Sequence, residues 1–120
     1  MGVKNMYRFE DNTIYLTRGD TLQAELTIMQ DGNVYTPVEG DRIRFALKRS
    51  QFNSNRTRYL DKEPLVLKDV PIDTMILQLD HEDTILLDFG KYDYDIEITM
   101  ANGRVDTFIK DNLYIEPEVY

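Results

Sequence analysis

The stretch Tyr92-Asp93-Tyr94-Asp95-Ile96-Glu97-Ile98-Thr99-Met100 decides how this chain folds. Every even-numbered position is apolar and every odd one polar, a period of two that turns one face of a strand to a core and the other to water. Asn102-Gly103 follows directly. That dipeptide favours a type I′ turn, whose two central residues both take positive φ. The pattern predicts a second strand, Arg104 to Lys110, folded back on the first.

Weaker versions of the same signal lie on either side. Leu22, Ala24, Leu26 and Ile28 alternate with polar residues until Asp31-Gly32, and Ile43, Phe45 and Leu47 alternate with Arg42, Arg44 and Lys48. Shorter β-prone runs occur at 13–17, 65–68, 75–79 and 113–115, each bounded by Gly, Pro, Asp or Asn. Residues 81–87 are read as one helical turn between strands. About seven short strands at a spacing of roughly ten residues, with almost no helix, predict an all-β chain folded as a two-sheet antiparallel sandwich. Residues 1–120 are expected to form one domain, with 1–12 as a flexible N-terminal segment and the polar run 50–61 as an exposed loop.

Composition narrows the chemistry. The 120 residues include no Cys, no Trp and one His, and 22 acids against 14 bases give a formal net charge of −8. A chain of this size buries roughly two-thirds of its unfolded surface and needs no disulfide or structural metal to hold a core. The absence of Cys removes thiol nucleophiles, Cys-ligated zinc and iron–sulfur clusters. Apolar runs such as Leu65-Val66-Leu67 fall far short of the ~20 residues a membrane helix requires. The first residues, Met1-Gly2-Val3-Lys4-Asn5-Met6, carry no apolar signal core, so secretion through a signal peptide is not expected.

No catalytic constellation emerges. His81 is the single imidazole, Ser50 and Ser54 lie in the polar loop rather than on a nucleophile elbow, and Asp88-Phe89-Gly90 lacks the glycine-rich and catalytic loops that make this tripeptide a magnesium site in kinases. Asp93, Asp95 and Glu97 share a strand face but stand about 7 Å apart, which suits cross-strand ion pairs with Arg42, Arg44 and Lys48 better than a shared cation. No enzyme activity, cofactor or metal is expected.

The bases are unevenly placed. Residues 42–60 contain six of them and no acid. Arg49, Phe52, Arg56, Arg58 and Tyr59 therefore form the candidate contact segment for a protein partner, since the overall acidity would repel a nucleic acid at long range. Arg18-Gly19-Asp20 spells an adhesion tripeptide, but its place between two strands suits a turn.

Asp88-Phe89-Gly90-Lys91-Tyr92 reads D-x-G-x-Y at the head of the decisive strand. It resembles the tyrosine corner of immunoglobulin-like sandwiches, in which a Tyr hydroxyl returns to nearby backbone. Asp88, Gly90 and Tyr92, with Asn102 and Gly103 of the following turn, are accordingly the candidate structural residues. The segments Leu16-Thr17-Arg18-Gly19-Asp20-Thr21, Asp31-Gly32, Gly40-Asp41-Arg42-Ile43-Arg44-Phe45, Asp83-Thr84 through Ile96, and Asn102 through Thr107 together resemble the N-terminal immunoglobulin-like domain of phage baseplate upper proteins and its small prophage relatives. That resemblance implies an immunoglobulin-like sandwich with no catalytic residue. It implies a structural or adaptor role in a tail or baseplate, located in the virion tail or in the bacterial cytoplasm during assembly. Partners would be other tail proteins or further copies of the chain, with no nucleic acid and no membrane. A carbohydrate-binding or adhesion-type sandwich is the alternative, since sandwiches commonly offer Tyr side chains to sugars and this chain has eight Tyr.

Overall fold

The computed structural model describes residues 7–10, as strand backbone, together with 12–50 and 64–117. Among these, strands dominate: β1 (Tyr7–Glu10), β2 (Thr13–Thr17), β3 (Leu22–Glu25), β4 (Ile28–Gln30), β5 (Asn33–Tyr35), β6 (Arg42–Arg49), β7 (Val66–Val70), β8 (Ile76–Leu79), β9 (Gly90–Thr99) and β10 (Val105–Glu116). The helical content described is one turn, α1 (His81–Thr84), which stands where the sequence placed it.

Six strands form one sheet in the order β1-β2-β10-β9-β6-β7, and β3 pairs with β8 in a second. The β4–β5 hairpin forms a third, small sheet. Pairing is antiparallel except between β2 and β10, which run parallel with Ile14 beside Leu113 and Leu16 beside Ile115. The decisive strand behaves as its pattern requires. Along β9, Tyr92, Tyr94, Ile96 and Ile98 are buried, and the residues between them face outward. They meet Ile43, Phe45 and Leu47 of β6 on one flank and Leu113 and Ile115 of β10 on the other. Leu22 and Ala24 of β3 and Leu77 and Leu79 of β8 complete the same core, so both larger sheets bury one face in a shared interior. Each fully buried Leu, Ile or Phe side chain stabilises by about 1.5–3 kcal/mol relative to exposure.

Four details depart from the sequence reading. The strands expected at 104–110 and 113–115 are one strand, β10, with a register shift between Thr107 and Ile109. Asp111-Asn112, the boundary between those two runs, uses its side chains across the sheet: Thr13 Oγ1 donates to Asp111 Oδ1 at 2.8 Å and Asn112 Nδ2 donates to Asp93 Oδ1 at 2.8 Å. The alternation from Leu22 to Ile28 breaks after Glu25, where Leu26 N donates to Met75 O, and the chain restarts in the β4–β5 hairpin. Tyr7–Glu10, inside the segment read as flexible, pairs with β2. Finally, the β9–β10 connection is not a type I′ turn. Gly103 N donates to Met100 O and Met100 N to Arg104 O, and within Ala101-Asn102-Gly103 positive φ occurs at Gly103. This is the three-residue hairpin loop in which a type I turn is followed by a left-handed glycine.

Candidate interaction surfaces

The outward face of the large sheet collects most of the charge expected there. In register, Arg44 faces Glu97 and Lys48 faces Asp93, with Ala46 opposite Asp95. Lys48 Nζ lies 3.7 Å from Asp95 Oδ2. The expected pairing of Arg42 and Arg44 with β9 acids is overturned: both turn to Asp69 on β7, at 3.2 and 3.6 Å. Arg42 faces the uncharged Thr99, and Asp69 stands directly across from Arg44 on the other side, so a single carboxylate serves both. The two guanidiniums hold Asp69 below the usual carboxylate range. Next to this ladder, Lys48, Asp95, Lys110 and Asn112 border an open polar cleft of about 380 Å³.

Of the candidate structural residues, Asp88, Gly90 and Tyr92 come together at the start of β9. Tyr92 Oη donates to the carbonyl oxygen of Asp88 at 2.7 Å, and Gly90 opens the strand with φ of 133°. Burial pushes the Tyr92 phenol up, with a further push from the Asp88 carboxylate, while the Arg49 cation and the backbone bond pull it back. Arg49 is exposed at the end of β6, in register with Tyr92. Phe52, Arg56, Arg58 and Tyr59, the rest of the candidate contact segment, lie outside the described residues. Asn102 and Gly103 occupy the exposed tip of the β9–β10 loop.

The adhesion-like tripeptide is built into the fold. Gly19 N donates to the buried Thr84 Oγ1 at 2.9 Å, and His81 Nδ1 donates to Gly19 O at 2.8 Å, so both ends of the glycine are held by α1. A Cβ at Gly19 would come within 2.9 Å of Ile85 Cδ1. The Arg18 guanidinium lies over the Phe89 ring at 4.4 Å, and Asp20 Oδ2 is buried. The one histidine thus acts as a tie between α1 and this turn.

Two polar hubs were not legible from the sequence. Asp41, 8% exposed, accepts from Tyr35 Oη at 2.6 Å, from Val38 N at 3.0 Å and from Ala101 N at 3.2 Å, joining the β5–β6 connection to the β9–β10 loop. The Tyr35 hydroxyl and the Val38 amide hold its carboxyl below the ordinary range. Its one sequence hint was a Gly-Asp pair just before a strand. Lys68 Nζ binds Asp83 at 2.9 Å and Asp80 at 3.2 Å, and the same Asp83 carboxylate accepts from Asp80 N at 2.6 Å, which fixes the start of α1. These contacts raise the Lys68 ammonium above its usual value.

Exposed apolar side chains include a cross-strand pair on the β4–β5 hairpin. Met29 and Val34 are that pair, 56% and 64% exposed; Val38 follows β5 at 57%, and Val105 opens β10 at 53%. A cleft of about 330 Å³ separates the β4–β5 hairpin from the β9–β10 hairpin, lined in part by Met29, Tyr35, Met100 and Phe108. On the large sheet, Tyr15 and Tyr114 stack at 5.0 Å with planes 8° apart. Among the described residues no His, Cys, Asp and Glu cluster is arranged to hold a metal ion, and no helix is long and apolar enough to cross a membrane. Comparison with protein-family models, with curated proteins and with solved structures finds no match.

Proposed function

We propose that the chain is a non-enzymatic, immunoglobulin-like two-sheet sandwich that serves as a structural or adaptor part of a phage or prophage tail or baseplate, working through protein contacts. The sandwich reading is supported by the strand order, with β2 running parallel to β10 at one side of the large sheet, and by the Tyr92–Asp88 bond at the head of β9. The observation that carries the contact role is the distribution of exposed apolar surface. Of the eight large exposed hydrophobic side chains among the described residues, Met29 and Val34 pair across β4–β5, Val38 follows β5 and Val105 opens β10. Grouped apolar exposure of this kind marks a surface that meets a partner. The chemistry-bearing side chains support the same reading, because His81, Asp41, Asp80 and Asp83 are engaged as structural ties. In this role the protein is found in the virion tail, or in the bacterial cytoplasm while the tail is assembled.

Sedimentation velocity over a range of concentrations, with the chain alone and co-expressed with neighbouring tail proteins, tests the proposal. Assembly that is weakened by Met29→Asp with Val34→Asp supports it; a strict monomer with no partner in either setting refutes it. A carbohydrate-binding module is the second reading, favoured by the Tyr15–Tyr114 stack beside a polar sheet face. A glycan array with no signal removes it.

A further inference from the structure

We infer that Asn102 is a site of spontaneous deamidation, a backbone modification written into the β9–β10 loop. The side chain is exposed, and its Oδ1 accepts a hydrogen bond from Arg104 N at 2.9 Å. A bond from a side-chain carbonyl to the amide two residues on folds the side chain back along the backbone; the amide between them, Gly103 N–H, donates to Met100 O at 2.8 Å and becomes free to attack when that turn bond opens. The bond from Arg104 N draws electron density from the Asn102 amide carbon, as donors do wherever a carbonyl must accept a nucleophile. Gly103 has φ of 92°, and a Cβ built there would meet nothing within 4 Å, so the space outside the loop is open to a tetrahedral centre and to departing ammonia.

The step balances without any group the chain lacks except water. Gly103 N attacks Asn102 Cγ, the new C–N bond closes a five-membered succinimide, and the side-chain nitrogen leaves as ammonia with the proton that Gly103 N gives up. Water then opens the ring at either carbonyl. One product has aspartate at position 102. The other routes the main chain through the side-chain carbon and lengthens the backbone by one methylene.

The other asparagines among the described residues lack this combination. Asn33 and Asn12 precede the β-branched Val34 and Thr13. Asn112 precedes Leu113 inside β10, and its Nδ2 is engaged by Asp93 Oδ1 at 2.8 Å. The product carries an added carboxylate one residue from Ala101, whose N–H donates to Asp41, and close along the chain to Asp106. Ageing therefore places a new negative charge near the Asp41 carboxylate along the chain, and in the isoaspartyl product it also lengthens the loop backbone.

The test is to hold the purified full chain at mildly alkaline pH and body temperature for days, then map peptides by mass spectrometry with isoaspartyl methyltransferase labelling. The expected result is amide-to-acid conversion at Asn102, with methyl label, at least an order of magnitude faster than at Asn12, Asn33 or Asn112. Gly103→Ala should slow it by about an order of magnitude, and Asn102→Gln should abolish label in that peptide. Circular dichroism of each variant before incubation confirms that the fold is retained. Retention of the Asn102 amide in the folded wild-type chain while the same peptide, excised, converts would overturn the inference. So would conversion at Asn102 no faster than at Asn33.

Discussion

The phenol of Tyr92 reaches back four residues to the carbonyl oxygen of Asp88, so the side chain that begins the buried row of β9 also ties down the turn before it. The tie is part-buried, with Tyr92 6% exposed and Asp88 at the surface, and losing it leaves the Asp88 carbonyl without its partner. Tyr92→Phe keeps the ring and removes the donor. Urea denaturation should show a loss of about 0.5–1.5 kcal/mol with an unchanged slope.

Asp41 should govern the acid limit. Its folded pKa is depressed, so it contributes stability above its unfolded value near 3.8 and loses it as pH falls through the folded one. Asp69 and Asp80 are lowered too and act in the same sense. Thermal melts from pH 7 to pH 2 should fall most steeply below about pH 4 in the wild type. Asn at position 41 should melt several degrees lower at neutral pH and lose part of that acid dependence. Equal acid slopes in the two proteins would assign the effect elsewhere.

The alkaline limit has a different origin. Burial, with the Asp111 carboxylate nearby, holds the Tyr94 phenol far above its ordinary value, and its hydroxyl donates to the Asn12 carbonyl. Lys68 is raised by Asp83 and Asp80. Groups whose folded pKa is raised contribute in full below their unfolded values, about 10 for Tyr and 10.5 for Lys, and lose that contribution as pH climbs through the folded ones. Tyrosinate absorbance should therefore show Tyr94 ionising together with global unfolding rather than as a separate step. Tyr94→Phe should remove one tyrosinate from that late transition.

Core and surface changes should differ in scale. Phe45 is fully buried and its ring centroid lies 5.5 Å from that of Tyr94. Phe45→Ala should cost about 3–5 kcal/mol, enough to unfold a domain of ordinary stability or nearly so. Asp69→Asn, by contrast, releases two half-exposed arginines that water can solvate, and should cost no more than about 1 kcal/mol. Calorimetry on the two variants separates these outcomes.

The legible parts of the fold were those governed by local alternation. The buried row Tyr92, Tyr94, Ile96 and Ile98 and the facing row Ile43, Phe45 and Leu47 could be read directly, because period-two burial leaves its mark on adjacent residues. What escaped depended on partners distant in sequence. Asp111-Asn112 reads as a boundary between two short strands because its hydrogen-bond partners, Thr13 and Asp93, belong to other strands. Arg42 was assigned to the wrong acid because the register of β7 is not encoded in β6. Asn102-Gly103 marked a hairpin, but the choice between a two-residue and a three-residue loop is set by where the flanking ladders close, at Met100 and Arg104. Asp41 gave almost no signal: two of its donors, Tyr35 and Val38, are close in sequence but follow no periodic pattern, and the third, Ala101, lies sixty residues on.

The parallel pairing of β2 and β10 has a mechanical meaning. Tension applied between Thr13 and Glu116 pulls these two strands along their lengths in opposite directions. Their hydrogen bonds are then loaded in shear, all at once, rather than unzipped one after another. A chain joined in this way resists extension along that axis more strongly than its modest length of ladder would suggest.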